Sequence, residues 1–540
     1  MNALSFADET SDVEAIKRAY DTLPYTSTAF AFTHPSRLGA LGHVHGLNCA
    51  LPSRCRVLEI GCASGGNLLP MALGYPASEF VGVDLSSVQL AQARRSAAAL
   101  SINNVRLIAV DIRELPHDVG TFDYIICHGV YSWVPKAVRE SILTTCAMRL
   151  AHGGVAVISF NVYPGWHQRD RLRRLLDAVV AARGGDALSP VQAVEAAKLW
   201  LRQLPMSKTD GPEPRWMDSS LRAAINEFLN ANNEYLFHEY LNRVNQPARM
   251  SQFLADAEQH GLRYIADADW GCNGRFARAA TQSGVMQIAN TRSAQEDLLD
   301  DFLDTPFRRA VLCRAEETPA ADPIVDRFEQ LYAACRFTPS KVAVGIDTDP
   351  PKRATTYNVD SYNQTTRLLL PAAADAARAL WAANPAYVPV SVLHQAAQPH
   401  AAICAAAKAA HYGLLTLARS RAIDLVLAPF PIAAKLGQPL ALSAWSTHCV
   451  DQGAKYVSGI THEQIFLDES WMKALEGKHG EQRTDALLER MSAVRTREKT
   501  CPPLTNESIA RADAATDKPA DEMAADLDLF RAMTSYGMLQ

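Results

Sequence analysis

The sequence predicts an α/β fold built on an open, mostly parallel sheet, and three observations carry that expectation. The first is the stretch Arg56 to Pro70, RVLEIGCASGGNLLP, where an apolar run breaks into a small, glycine-rich turn and resumes at Leu68. It reads as a buried strand, a tight loop and the start of a helix. The second is a series of further strand-like runs with room for helices between them, FVGVDLS, VRLIAVD, FDYIICHGVYSW and GGVAVISFNVYPGW. The third is that acids stand near the ends of the first three strands: Glu59, Asp84 and Asp111. Ligands of open α/β sheets bind off that edge.

Composition sets the outer limits. A chain of 540 residues predicts roughly two to four domains. With 48% apolar and 21% charged residues and a net charge of -5, nothing draws it towards nucleic acid or an anionic membrane. The 11 cysteines form no C-x-x-C pair, so neither a zinc ribbon nor a disulfide framework is indicated. The N-terminus, MNALSFADETSDVEAI, carries acids where a signal peptide needs a basic and then an apolar run, and no apolar run is long enough to span a bilayer. The expectation is a cytoplasmic protein without membrane insertion.

Residues Val13 to Tyr20 predict a short helix. The segment DTLPYTSTAFAFTHPSRLGALGHVHGL follows, rich in aromatics and hydroxyls and cut by Pro24 and Pro35. It predicts an ordered loop and helix, either a lid over a ligand pocket or a strap on the sheet edge. His43 and His45 have no third ligand nearby in sequence and predict no metal site. In the glycine turn the spacing is G-x-x-x-G-G, not the G-x-G-x-x-G of dinucleotide binders, and Glu59 precedes it. A fixed carboxylate repels pyrophosphate and attracts a cationic amino group, such as that of S-adenosylmethionine. Asp84 is placed to accept both ribose hydroxyls of an adenosine. Asp111, with Ile112 beside it, holds an adenine or caps the following turn. His128, Tyr131 and Trp133 after the fourth strand, and Asn161, Tyr163 and Trp166 after the fifth, are expected over the transferable group.

Strand-helix units in this order, with acids after the first three strands, resemble a class I S-adenosylmethionine-dependent methyltransferase. The runs YDTLPYTSTAFAFTHPSRL, EIGCASGGNLLPMA, VGVDLSSVQL, FDYIICHGVYSWVP and ISFNVYPGW resemble more narrowly the bacterial methyltransferases with a methyltransferase regulatory domain, the group containing the rickettsial protein lysine methyltransferases. HGVYSWVP and NVYPGW are the more specific motifs. Ala63 stands where many class I enzymes have glycine and should only tighten the loop slightly. The resemblance implies S-adenosyl-L-methionine as cofactor, held by Glu59, Gly61, Ala63, Gly65, Asn67, Asp84, Leu85, Gln89, Asp111, Ile112 and His128. It also implies a Rossmann-like sheet of seven mostly parallel strands, completed by RYIADA and FRRAVLCR.

The expected methyltransferase domain is discontinuous, spanning 1–170 and 245–316, with a helical insertion or regulatory segment at 171–244. That insertion is expected to form a substrate lid or a homodimer interface, and Glu234, Phe237, His238 and Tyr240 are candidates to face the site. From 317 to 500 the pattern predicts a mixed α/β domain: VDSYNQTTRLLLP as a strand, three helical stretches, then the strand AIDLVLA. Three helices before a strand resemble a winged helix, but Lys and Arg are sparse in the third and no nucleic-acid partner is expected. The reading is substrate recruitment or partner binding, with GITHEQIFLDESWMKALEG continuing the resemblance. The tail 501–540 is expected to be partly mobile, with a helix at AADLDLFRAM.

Methyl transfer from a sulfonium is an in-line displacement needing alignment and exclusion of water, with no metal. If the acceptor is a lysine amine, its usual pKa near 10.4 means a proton must be removed. Tyr131, Trp133 and Tyr163 could line its methylene stem, and His128 or Asn161 could accept its proton or hydrogen bond. Lysine amines of a protein are the expected acceptor. A small-molecule N- or O-methyltransferase and a non-catalytic binding module are the alternatives.

Overall fold

The computed structural model describes residues 3–204 and 218–336, then 338–339, 357–361, 364–368, 371–383, 386–396, 403–430, 443–452, 456–458, 464–466, 475, 478 and 482–488. The linker TDPPKRATT before Tyr357, most of GITHEQIFLDESWMKALEG and the whole tail, including the run AADLDLFRAM expected to be helical, lie outside these residues.

A seven-stranded sheet organises the first 316 residues. Its strands are β1 (Arg56–Ile60), β2 (Glu79–Asp84), β3 (Val105–Ala109), β4 (Phe122–Cys127), β5 (Leu150–Asn161), β6 (Leu262–Asp267) and β7 (Phe307–Arg314). They lie in the order β3-β2-β1-β4-β5-β7-β6. The pairs from β3 to β5 are parallel, and β7 runs antiparallel to both β5 and β6. This is the class I methyltransferase arrangement. Order reverses at β1, where successive connections leave on opposite sides and open a crevice at the strand ends.

Strand alternation builds two cores. On β5, Ala156, Ile158 and Phe160 enter one layer with Phe253 and Met250, whereas Val155 and Val157 enter the other with Leu68 and Met71. Both faces are covered, so the central strands β4 and β5 are apolar over most of their length, as buried parallel strands are. The covering helices before β5 are α1 (Ala3–Thr22), α2 (Pro35–Val44), α3 (Leu68–Gly74), α4 (Ser87–Ala99) and α5 (Lys136–Arg149). The first is longer than the expected Val13 to Tyr20 helix. Local chemistry sets their starts: Pro35 opens α2, where its missing N–H costs nothing, and Ser86 Oγ accepts the Gln89 amide at 3.2 Å.

Two strand ends differ from the sequence reading. The run FDYIICHGVYSW leaves the sheet after Cys127, because Gly129 adopts φ +69° and turns the chain into a 3-10 turn at Tyr131–Trp133. Likewise VRLIAVD ends at Ala109, and Asp111 caps the next turn.

Between β5 and β6 run α6 (His167–Ala182), α7 (Pro190–Leu201), α8 (Ser219–Asn230), α9 (Asn233–Leu236), a π-helical turn (Phe237–Leu241) and α10 (Met250–Gln259). Leu172, Leu176, Val194, Leu201, Ile225 and Phe228 give α6 to α8 a cluster of their own. After β6 come α11 (Trp270–Ser283), α12 (Val285–Ile288) and α13 (Arg292–Leu303).

Beyond 316, β8 (Tyr332–Cys335) is followed by β9 (Thr338–Pro339), β10 (Tyr357–Ser361) and β11 (Gln364–Leu368). The expected single strand VDSYNQTTRLLLP is therefore two antiparallel strands, with Ser361 opposite Gln364. Three helices follow, α14 (Pro371–Ala383), α15 (Val390–Ala396) and α16 (Ile403–Arg419), with the short β12 (Val388–Pro389) between the first two, and then β13 (Ile423–Val426). β12 and β13 flank β8 in one small sheet. Their core includes Ala40 and Val44 of α2, so this region is built onto the large sheet's own helix.

Candidate active site

The glycine turn lies at the C-terminal edge of β1, against a cavity of about 370 Å³, a size typical of small-molecule sites. Gly61 has φ +77°, and a Cβ there would meet Val130 Cγ2 at 2.3 Å, so glycine lets the turn close against the loop after β4. Ala63 sits in the left-handed region at φ 48°. Glu59, only 5% exposed, accepts the Asn67 side-chain amide at 2.8 Å through Oε1. Its Oε2 is buried with no hydrogen-bond partner among the described residues. Burial, partly offset by Asn67, pushes its pKa up to about 8. An orphaned buried carboxyl oxygen in a cavity wall calls for a donor from a ligand, and a cationic amino group satisfies both its charge and its lone pair.

Asp84 ends β2 with its carboxylate already oriented. Oδ2 accepts the Ala63 amide and Oδ1 the Ser86 amide, both at 2.8 Å. Each oxygen keeps a lone pair, so two hydroxyls can still be accepted. Burial raises its pKa and those amide bonds oppose the rise. Leu85, Gln89, Asp111 and Ile112 line the same cavity. Asp111 nevertheless caps its turn, accepting the Arg113 amide at 2.9 Å and pairing with the Arg113 guanidinium at 2.7 Å. Of the two roles open to it, the cap is realised here, while its place in the wall keeps it within reach of a ligand. Gly65 does not line the cavity: its amide closes the turn onto Cys62 O at 2.9 Å and its Cα faces Leu69.

Tyr25, Thr26, Ser27, Thr28 and Phe30 form another wall of the cavity, the placement that suits a lid. Asn67 ties this segment to the site, since its Oδ1 accepts the Phe30 amide at 2.9 Å and the Thr33 hydroxyl at 3.0 Å while its Nδ2 holds Glu59. His43 and His45 lie elsewhere, on the Arg327 and Ala320 carbonyls. No group of three or more His, Cys, Asp or Glu is placed to hold a metal among the described residues.

The expected acceptor residues divide. Trp133, Asn161, Trp166 and His128 line the cavity, but Tyr131 and Tyr163 do not. Tyr131 is 2% exposed and packs its ring against Phe160 and Phe253, because the 3-10 turn rotates it into the core while presenting Trp133 to the cavity. Tyr163 stacks on His167 and hydrogen-bonds Asp170, away from the cavity. His128 sits among Phe30, Phe32 and Phe307 and shares a 2.8 Å hydrogen bond with Ser159 Oγ. Burial and then Arg309 lower its pKa to about 3, so it is neutral and a weak proton acceptor. Asn161 Nδ2 donates to Asn245 Oδ1 at 3.0 Å, which leaves its carbonyl oxygen as an acceptor.

Of the insertion residues, His238 reaches the cavity, stacked on Tyr20 at 4.2 Å and bonded to Leu23 O. Glu234, Phe237 and Tyr240 do not line it, and Tyr240 packs on Phe228 instead. Tyr20, among the aromatics of the expected lid segment, lines it too, and sequence reasoning missed Val13, Ile16, Arg169, Tyr235 and Glu239, all of which do. The π-helical turn carries one extra residue per turn and moves Glu239 rather than Tyr240 to the cavity, an offset that a 3.6-residue period hides.

A nucleotide-type α/β sheet with an orphaned acid beside a glycine turn and a second acid at the next strand defines the S-adenosylmethionine-binding methyltransferase class. Comparison with known proteins agrees. Residues 57–154 match the methyltransferase domain family and residues 232–314 the predicted methyltransferase regulatory domain. The uncharacterized protein RP028 of Rickettsia prowazekii is 34% identical over 249 residues, covering 46% of this chain and 97% of that one. RP789 of the same organism is 33% identical over 304 residues, 54% of this chain and 52% of its own, so the match spans about half the length of that relative. PKMT2 from Rickettsia typhi has the same fold, with TM-score 0.72 at 22% identity over 96% of this chain and all of that one. The chain belongs to the family of class I S-adenosylmethionine-dependent methyltransferases that carry a methyltransferase regulatory domain.

Proposed function

We propose that the protein methylates lysine side chains of a protein substrate with S-adenosyl-L-methionine. When bound, that cofactor supplies an electrophilic methyl group on a sulfonium. Glu59 would hold its amino group, Asp84 its ribose, and Leu85, Gln89, Asp111 and Ile112 its adenine end. The observation that carries the acceptor reading is that the same cavity is lined, besides Glu59, by Trp133, Trp166, Tyr20 and Tyr235 and by a further acid, Glu239. Aromatic faces attract alkylammonium groups and pack along their methylene stems. Asn161 orients an acceptor nitrogen through its free carbonyl oxygen. The segment Tyr25 to Phe30 keeps water from the reacting atoms.

Protein rather than small-molecule acceptors are supported by the motif resemblance and by the region after residue 316, which a small acceptor would not demand. We assign the sheet with its flanking helices (1–170 and 245–316) to chemistry, 171–244 to substrate gating, and 317–500 to recruitment. A homodimer through the insertion fits Leu175, Val191 and Leu199, which stay 40%, 45% and 49% exposed on α6 and α7. Sedimentation at the monomer mass would remove it. No helix among the described residues is long and apolar enough to cross a membrane, consistent with action on soluble protein in the cytoplasm.

Incubating the purified chain with methyl-labelled cofactor and a bacterial lysate tests the acceptor. Label in methyl-lysine after protein hydrolysis is the expected result. Label confined to the small-molecule fraction would replace this reading with a small-molecule methyltransferase.

A further inference from the structure

An acid of the cavity wall outside the proposed cofactor contacts, Glu239, is left unused by the reading so far. Glu239 lies on the π-helical turn, lines the cavity, and receives no hydrogen bond from a described residue on its carboxylate. Tyr20 from α1 and Tyr235 from α9 lie within electrostatic reach of it, while Trp133 after β4 and Trp166 before α6 line the same cavity with Arg173 over the Trp133 ring at 5.8 Å and Arg169 over the Trp166 ring at 4.9 Å. Trp133 and Trp166 meet edge to face with centroids 6.1 Å apart.

We propose that Glu239, with the Tyr20 and Tyr235 rings beside it, forms a subsite for a primary alkylammonium group, and that Glu239 takes the proton from that group before methyl transfer. The proposal rests on the methyltransferase reading above and names its acceptor base. The charges facing Glu239 do not exclude a cation. Arg169 on α6 is paired with Glu227 of α8 at 2.9 Å. Arg173, also on α6, donates to the Glu239 and Asn242 carbonyls at 2.7 and 2.6 Å. Two cations, Arg169 and Arg173, therefore face two acids, Glu227 and Glu239, and an incoming ammonium meets no excess of positive charge. The other titratable neighbours are Asp170 and Asp177, which face Arg173, His238, whose pKa burial lowers, and the phenols Tyr20, Tyr235 and Tyr240, held neutral because burial raises their pKa values. Burial likewise pushes Glu239 up to about 7 against the pull of Arg169 and Arg173. It is thus ionised just above neutrality yet basic enough to accept a proton, the setting a general base needs.

The step balances within the site. The ammonium N–H bond breaks, the proton goes to a Glu239 oxygen and its electron pair stays on nitrogen. That pair then forms the N–C bond as the C–S bond breaks and its electrons pass to sulfur. The products are a methylammonium, a neutral thioether and a protonated Glu239 that loses its proton to solvent.

The test uses the full chain with S-adenosylhomocysteine present and n-butylamine as probe, titrated calorimetrically. The wild type should bind butylammonium more tightly at pH 8.5 than at pH 6, because Glu239 becomes ionised through pH 7. Glu239→Gln should weaken binding about tenfold or more at pH 8.5 and abolish that pH dependence. Glu239→Asp should restore part of it, while S-adenosylhomocysteine affinity stays unchanged in both. No saturable binding of butylamine to the wild type, or equal binding by the Gln variant, overturns the subsite. The two readings separate cleanly. Glu239-dependent butylammonium binding with no methyl-lysine in the lysate experiment overturns only the protein acceptor. Methyl-lysine formed by Glu239→Gln at the wild-type rate and pH profile overturns only the base.

Discussion

Arg37 and Asp424, 387 residues apart in sequence, form a two-pronged ion pair, with Nε to Oδ1 at 2.8 Å and Nη2 to Oδ2 at 2.6 Å. Arg336 adds a third contact at 3.2 Å, and Tyr387 donates its hydroxyl to the same carboxylate. Arg37 sits on α2 beneath the large sheet and Asp424 on β13, so the cluster fastens the region after residue 316 to the methyltransferase fold.

Asp424→Asn removes the carboxylate charge that two guanidinium groups share in a largely dry site. The expected loss of unfolding free energy is about 3 to 5 kcal/mol, read by urea denaturation. The pH response has a defined sign. Arg37 and Arg336 hold the folded pKa at about 2, below the ordinary 3.8. The stabilisation is therefore present above pH 4 and fades as pH falls towards 2. An Asn variant with wild-type stability at pH 7 would contradict the coupling.

Glu59 behaves in the opposite sense. Its folded pKa, raised from 4.5 to about 8, means the folded chain binds a proton that the unfolded chain has released, so stability falls as pH rises between those values. Without cofactor, Glu59→Gln should stabilise the fold by about 3 kcal/mol at pH 7. Because Gln Oε1 can still accept from Asn67, the fold is kept. The same variant should bind S-adenosylmethionine at least about tenfold more weakly, since a charge-assisted hydrogen bond is worth about 1.5 to 3 kcal/mol. Thermal unfolding and calorimetry read the two effects separately.

Gly66 tests the contact between the glycine turn and the N-terminal segment. A Cβ there would meet Ser27 O at 2.3 Å and Thr28 N at 2.8 Å, both backbone atoms. The Gly66 amide also donates to Ser27 Oγ at 2.8 Å. Gly66→Ala should push the segment off the cavity and speed cleavage of residues 20–30 in limited proteolysis. It should also lower cofactor affinity more than overall stability. Unchanged proteolysis would show that the segment is not seated on this turn.

Tyr131 and Trp133, two residues apart, should respond differently. Tyr131→Phe keeps the ring between Phe160 and Phe253 and should change stability by less than about 1 kcal/mol, with methyl transfer unchanged. Trp133→Ala opens the cavity wall and should reduce methyl transfer at least about tenfold with cofactor affinity retained. Equal effects of the two substitutions on transfer rate would return Tyr131 to the site.

The sequence by itself determined the sheet and the cofactor edge. Both follow from near-neighbour patterns: apolar strands that alternate with helices, a glycine turn, and an acid at or just beyond the end of each of the first three strands. Glu59, Asp84 and Asp111 could be placed because a strand end fixes its side chain relative to the sheet with little help from the rest of the chain. Only the tertiary structure decided the acceptor end. Gly129 turned one aromatic of the HGVYSW motif inward and its neighbour outward. The π-helical turn brought Glu239 to the cavity in place of Tyr240, and α1 supplied Tyr20 from more than 200 residues away. The Arg37–Asp424 pair was equally invisible, because a contact between segments hundreds of residues apart leaves no local period in either. A lone sequence records which faces are apolar, but which distant faces meet is settled only when the chain packs.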